Sequence, residues 1–193
     1  MKSNLSNFFV KIAFFFIIVS CSSEENLNQS AEFSQIQIEN VFKYRGEAQR
    51  NAFILLDDNL KYEVWKTKLS NDLNDKIFSK EQERSITNLL GFLKPSHFST
   101  SNNANETDKD LSKWIDDAKL IFDRNELRGT FAELNDQDED LPPDDSGNSA
   151  SNCTCSIPED LCRFGSNCER ANCKRKPKGC GLLWNTYCDG KCF

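Results

Sequence analysis

Residues 152–193 read NCTCSIPEDLCRFGSNCERANCKRKPKGCGLLWNTYCDGKCF. Eight of the nine cysteines in the 193-residue chain fall here: Cys153, Cys155, Cys162, Cys168, Cys173, Cys180, Cys188 and Cys192. A segment of about 40 residues cannot bury enough apolar surface to fold on a core alone, so the cysteines must supply the missing constraint. They can do so as disulfides or as metal ligands, and spacing separates the two. Successive cysteines are separated by one, six, five, four, six, seven and three residues, with no C-x-x-C. Structural zinc favours ligand pairs with roughly two to four residues between them. Only Cys168–Cys173 and Cys188–Cys192 have such spacing, and the one histidine, His97, lies far upstream. The pattern points to four disulfides, with no metal or other cofactor. Eight cysteines leave on the order of a hundred pairings open.

The ninth cysteine has a different context. MKSNLSNFFVK is a short, mildly basic start, followed by an apolar run over residues 12–19. That run is far shorter than the roughly 20 residues needed to span a bilayer and suits a signal-peptide core. Ile18-Val19-Ser20-Cys21 then resembles the lipobox of bacterial lipoproteins, in which the Cys21 thiol is alkylated by diacylglycerol. Lipidation explains an odd cysteine beside an even set. An ordinary secretory peptide cleaved near Cys21 is the alternative. Ser22-Ser23-Glu24-Glu25 resembles a surface-export tag of some Bacteroidota lipoproteins, or is a solvated linker. On either reading the compartment is oxidising, where disulfides persist.

Between the two cysteine contexts the chain is charged and helical. Ser79-Lys80-Glu81-Gln82 has capping-box form, and Ile86, Leu89, Leu90 and Leu93 follow at the spacing of one helical face, ended by Pro95. A second helix starts at Thr107, with Asp108 and Asp110 in its first turn and a stripe of Leu111, Trp114, Ile115, Ala118, Ile121 and Phe122. Shorter helices are expected near residues 46–56, 60–70 and 126–134. SQIQIENVF (residues 34–42) alternates like a strand at Ile36 and Ile38 and loses that period at Val41 and Phe42, so strand and helix both stand. Four or five short helices make a small all-α bundle. Adjacent acids such as Asp57-Asp58 and Asp116-Asp117 point about 100° apart on a helix, and His97 has no evident nucleophile or orienting partner. No catalytic constellation emerges, so a non-enzyme is expected.

DQDEDLPPDDSGNSAS (residues 136–151) holds six acidic residues and two prolines and reads as a disordered acidic linker. The expected organisation is a lipoprotein signal peptide (1–20), a tether (21–31), a helical domain (32–135), the linker (136–151) and a small disulfide-rich C-terminal module (152–193). Charge divides along the same line. The chain carries −6 overall; from Cys153 onward, seven Lys/Arg against four Asp/Glu give +3, leaving −9 elsewhere. Lys174, Arg175, Lys176 and Lys178 form one basic run near Leu182, Leu183, Trp184 and Tyr187. That run with Trp184 is the candidate contact with an anionic membrane or target. Alternatively the apolar residues form the mini-core around the disulfides. Nucleic acid is not an expected partner outside the cell, and the oligomeric state is open.

The tail resembles fulvocin C, a disulfide-rich bacteriocin. Asn152-Cys153-Thr154-Cys155-Ser156 is similar to its N-terminal motif, and Gly179-Cys180-Gly181 with Trp184 and Tyr187-Cys188 to its C-terminal half. The order of lipobox, helical segment and cysteine tail resembles the fulvocin C-related proteins of Bacteroidota. The spacing of Cys188 and Cys192, the basic run and the preceding helical region depart from the free peptide. The resemblance implies a lipid-anchored bacteriocin-like protein or precursor at the outer membrane or cell surface. Its tail would act on a neighbouring cell's envelope by contact or after release. A non-toxic surface binding module or an immunity lipoprotein is the alternative.

Overall fold

The computed structural model describes residues 24–99, 107–135, 152–162 and 165–193. The expected signal peptide, the lipidation candidate Cys21 and the expected acidic linker lie outside them. The chain divides into two compact units, Met1–Ile36 and Gln37–Phe193. Every buried residue among those described falls between Val41 and Lys191, within the second unit.

Six α-helices are present among the described residues: α1 (Glu24–Lys43), α2 (Gly46–Ile54), α3 (Asp58–Asp75), α4 (Lys80–Phe92), α5 (Thr107–Ile121) and α6 (Arg124–Phe131). The segment that reads as strand or helix is helix, and α1 begins inside the stretch expected to be a tether. The loss of alternation marks the reason: Ile38, Val41 and Phe42 sit at i, i+3 and i+4, with Val41 buried and the other two packed against the core. Local chemistry sets the helix starts. The Asp57 carboxylate accepts the Leu60 N–H at 2.9 Å, and Ser79 with Gln82 and Asp123 with Glu126 form reciprocal capping boxes. A short 3-10 turn, Pro95–Phe98, follows α4.

The helices meet around aromatic rings. Leu60, Val64, Trp65 and Leu69 form the buried face of α3, and Ile86 and Leu89 that of α4. Leu111, Trp114, Ala118 and Phe122 supply the adjoining layer. Trp114 Nε1 donates to the Ser85 carbonyl at 3.0 Å, and Phe131 lies edge-on to Trp114 and Phe122 at 4.9 and 5.1 Å. Lys68 and Asp72 form a buried ion pair within α3. Lys68 also donates to the Gly129 carbonyl at 2.9 Å, tying α3 to α6. Such a pair is tolerated because each charge keeps further polar contact.

In the tail, β1 (Cys168–Glu169) pairs antiparallel with β4 (Lys191–Cys192), and β2 (Lys176–Cys180) with β3 (Thr186–Cys188). Four disulfides join Cys153–Cys173, Cys155–Cys168, Cys162–Cys192 and Cys180–Cys188. The all-α region followed by a disulfide-rich tail is as expected. The independence of that tail is not. Leu182, Leu183 and Trp184 belong to the same buried cluster as Phe53, Trp65 and Phe131, so the helices from Gln37 onward and the tail share one core. A 42-residue stretch with four cystines has little apolar mass of its own, and its largest apolar side chains bury themselves where a helical surface is available.

Candidate functional site: the seat of the tail on the helices

The hairpin β2–β3 is closed by Cys180–Cys188 and carries the turn Leu182–Trp184 at its tip. This turn is the plug that enters the helical core. Its backbone is left-handed at Gly181 (φ 69°), Leu183 (φ 56°) and Trp184 (φ 52°). A non-glycine residue held there costs roughly 1–3 kcal/mol and persists only when its surroundings over-determine it. Here they do. Trp184 packs edge-on to Phe53 at 5.2 Å and Trp65 at 5.7 Å, and its Nε1 donates to the Ala132 carbonyl at 2.7 Å. That carbonyl ends α6 and has no helical partner of its own. The Glu159 carboxylate accepts the Leu182 N–H at the base of the plug. A side chain at Gly181 would collide with Glu159 and Thr186. A Cβ at Gly179 (φ 112°) would lie 2.7 Å from Ile54 Cδ1, so glycine also permits the close approach of β2 to α2.

Polar contacts surround the plug. Arg50 on α2 donates to the Thr154 carbonyl at 3.1 Å. Glu47 accepts from the Asn152 amide at 2.9 Å and from Lys176 at 3.0 Å, and Lys176 reaches Asn51 as well. The Asn152 and Lys176 donors hold the Glu47 carboxyl below its ordinary value. Lys178 donates to the Ser99 carbonyl at 2.9 Å and to Asn185 Oδ1 at 2.6 Å. Arg124 at the start of α6 meets Asp160 at 2.8 Å and the Ser166 carbonyl at 3.0 Å.

The candidate contact set therefore splits. Trp184, only 4% exposed, is core and is not presented to a membrane or ligand. Lys176 and Lys178 face the helices, while Lys174 and Arg175 are exposed. The mini-core alternative also needs correction, because Leu182, Leu183 and Trp184 pack in the helical core and not around the cystines, whereas Tyr187 is exposed. Glu47, Arg50, Arg124 and Glu159 carry no sequence signal for their roles, since each reads as an ordinary polar residue. The eight tail cysteines are all oxidised in pairs, so none offers a thiolate to a metal. Asp57 is a helix cap, Asp116 and Asp117 lie on the wet face of α5, and buried His97 packs against Phe92.

Glu159 also makes the seat sensitive to pH. Burial pushes its carboxyl above the ordinary value of 4.5, opposed by the Leu182 N–H and by the charge of Lys119. The folded chain thus holds this proton more tightly than the unfolded chain. The resulting stability is full below about pH 4.5 and is lost as pH rises through the raised folded value. Glu159→Gln retains an oxygen for Leu182 and removes the titration. Relative to the parent, its urea midpoint should rise as the pH climbs above about 4.5 and level off beyond the raised folded value. Parallel pH profiles for the two proteins would show that other groups set the slope.

No family model, curated protein or solved structure matches the chain. Among the described residues, no helix is long and apolar enough to cross a membrane.

Proposed function

We propose that the chain is an envelope-tethered protein, lipid-anchored through Cys21, whose tail works as a contact surface while seated on its helices. The observation that carries this reading is the burial of Leu182, Leu183 and Trp184 in the helical core. Withdrawing them into water would cost about 1.5–3 kcal/mol per fully buried side chain. A bacteriocin-like action, as the resemblance to fulvocin C implies, would then be exerted by contact and not by a freely diffusing peptide. The same surface serves a non-toxic binding module equally well, and an immunity role would need it to engage the toxin's target.

A protease site placed within residues 140–150 tests the reading. After cutting under non-reducing native conditions, tail and helices should elute together from gel filtration and part only in denaturant. Elution of the tail alone would overturn the proposal and favour a released precursor. That second reading draws on the tail's own four disulfides, which would hold it in shape once free.

A further inference from the structure

With Lys176, Lys178 and Trp184 committed to the seat, a different set of side chains faces outward. Arg170, Lys174 and Arg175 are exposed on the segment joining β1 to β2, and none has an ion pair among the described residues. The segment is pinned at both ends, by Cys168 to Cys155 and by Cys173 to Cys153. Immediately after Arg175, Lys176 and Pro177 join Asn51, Ile54 and Leu55 in lining a shallow cleft of about 300 Å³ between β2 and the end of α2. Leu55 is 85% exposed at its rim. The pairing of Lys176 with Cys188 brings Tyr187, 65% exposed, across the hairpin from this stretch.

We propose that the exposed cations Arg170, Lys174 and Arg175 of the β1–β2 segment, together with Leu55 at the cleft and Tyr187 on β3, dock on an anionic lipid surface. Three exposed cations without an ion pair among the described residues, on a chain of net charge −6, are complementary to a negative partner. Charge alone would suit any polyanion. Exposed Leu55 and Tyr187 add what a membrane interface takes, where an aromatic ring and an aliphatic side chain enter the headgroup region while basic groups meet phosphates. The inference deepens the contact-surface reading and rests on it, but it does not require the lipid anchor.

The test uses residues 37–193, which contain the entire buried core among the described residues. Fold is checked by near-UV circular dichroism. The protein should sediment with phosphatidylcholine vesicles containing about 30% phosphatidylglycerol, stay free with phosphatidylcholine alone, and be released by high salt. Replacing Arg170, Lys174 and Arg175 by Gln should weaken binding about fivefold per cation and about a hundredfold together. Leu55→Ser should weaken it several-fold. Removing the same charge elsewhere, at exposed Lys66, Lys80 and Lys113, should leave most binding intact. No affinity for the anionic vesicles would overturn the proposal. So would equal loss in the two triple variants, or soluble polyphosphate binding as tightly with Leu55→Ser indifferent. The native-cut experiment reads the shared core independently of any vesicle result, so the two proposals fail separately.

Discussion

Trp184→Ala is expected to destabilise helices and tail together, by about 3–5 kcal/mol. The side chain fills the space among Phe53, Trp65 and the end of α6. Its loss leaves a cavity, an unmet Ala132 carbonyl and a left-handed turn without the packing that holds it. The informative readout is far-UV circular dichroism in urea, because the helical signal comes almost wholly from residues upstream of the tail. A parallel fall in the helical and fluorescence midpoints is the expected result. An unchanged helical transition would mean that the tail folds apart from the helices. Trp184→Phe should be milder: it keeps an edge-on ring against Phe53 and gives up mainly the Nε1 hydrogen bond, worth about 1 kcal/mol.

The second large effect is expected from the disulfide that spans most chain. Cys162–Cys192 closes a separation of 30 residues, against 8 for Cys180–Cys188. Loop-closure entropy assigns about 3–4 kcal/mol to the longer loop and about 2–3 kcal/mol to the shorter. Serine at Cys162 and Cys192 should therefore lower the thermal midpoint more than serine at Cys180 and Cys188, with thiol titration confirming that the other three bonds form. The reverse order would show that Cys180–Cys188 acts chiefly on the native state, by holding the plug hairpin in shape.

These effects meet at the same residues because the tail's disulfides and the helical core are mechanically one structure. Cys180–Cys188 fixes the hairpin whose tip is Leu182–Trp184, and that tip is packed by α2, α3 and α6. The basic run divides for an equally simple reason. Lys176 and Lys178 lie two residues apart on β2, so they point to one side of the strand, and that side meets Glu47, Asn51 and Ser99. Lys174 and Arg175 precede the strand and escape its alternation.

The sequence by itself determined what depends on neighbours within about one helical turn or on composition. Ser79 and Gln82 announce the start of α4, the Leu111–Trp114–Ala118 stripe announces α5, and eight clustered cysteines announce a stapled tail. Only the tertiary structure decided which cysteine meets which, that residues 34–42 turn as helix, and that the tail has no separate core. Those outcomes depend on surfaces brought together from distant parts of the chain. Leu182-Leu183-Trp184 has the composition of a membrane contact or of a mini-core with equal justice. Its burial was settled by an apolar surface that Phe53, Trp65 and Phe131 build far away in the sequence, because apolar area is removed from water wherever the complementary area lies.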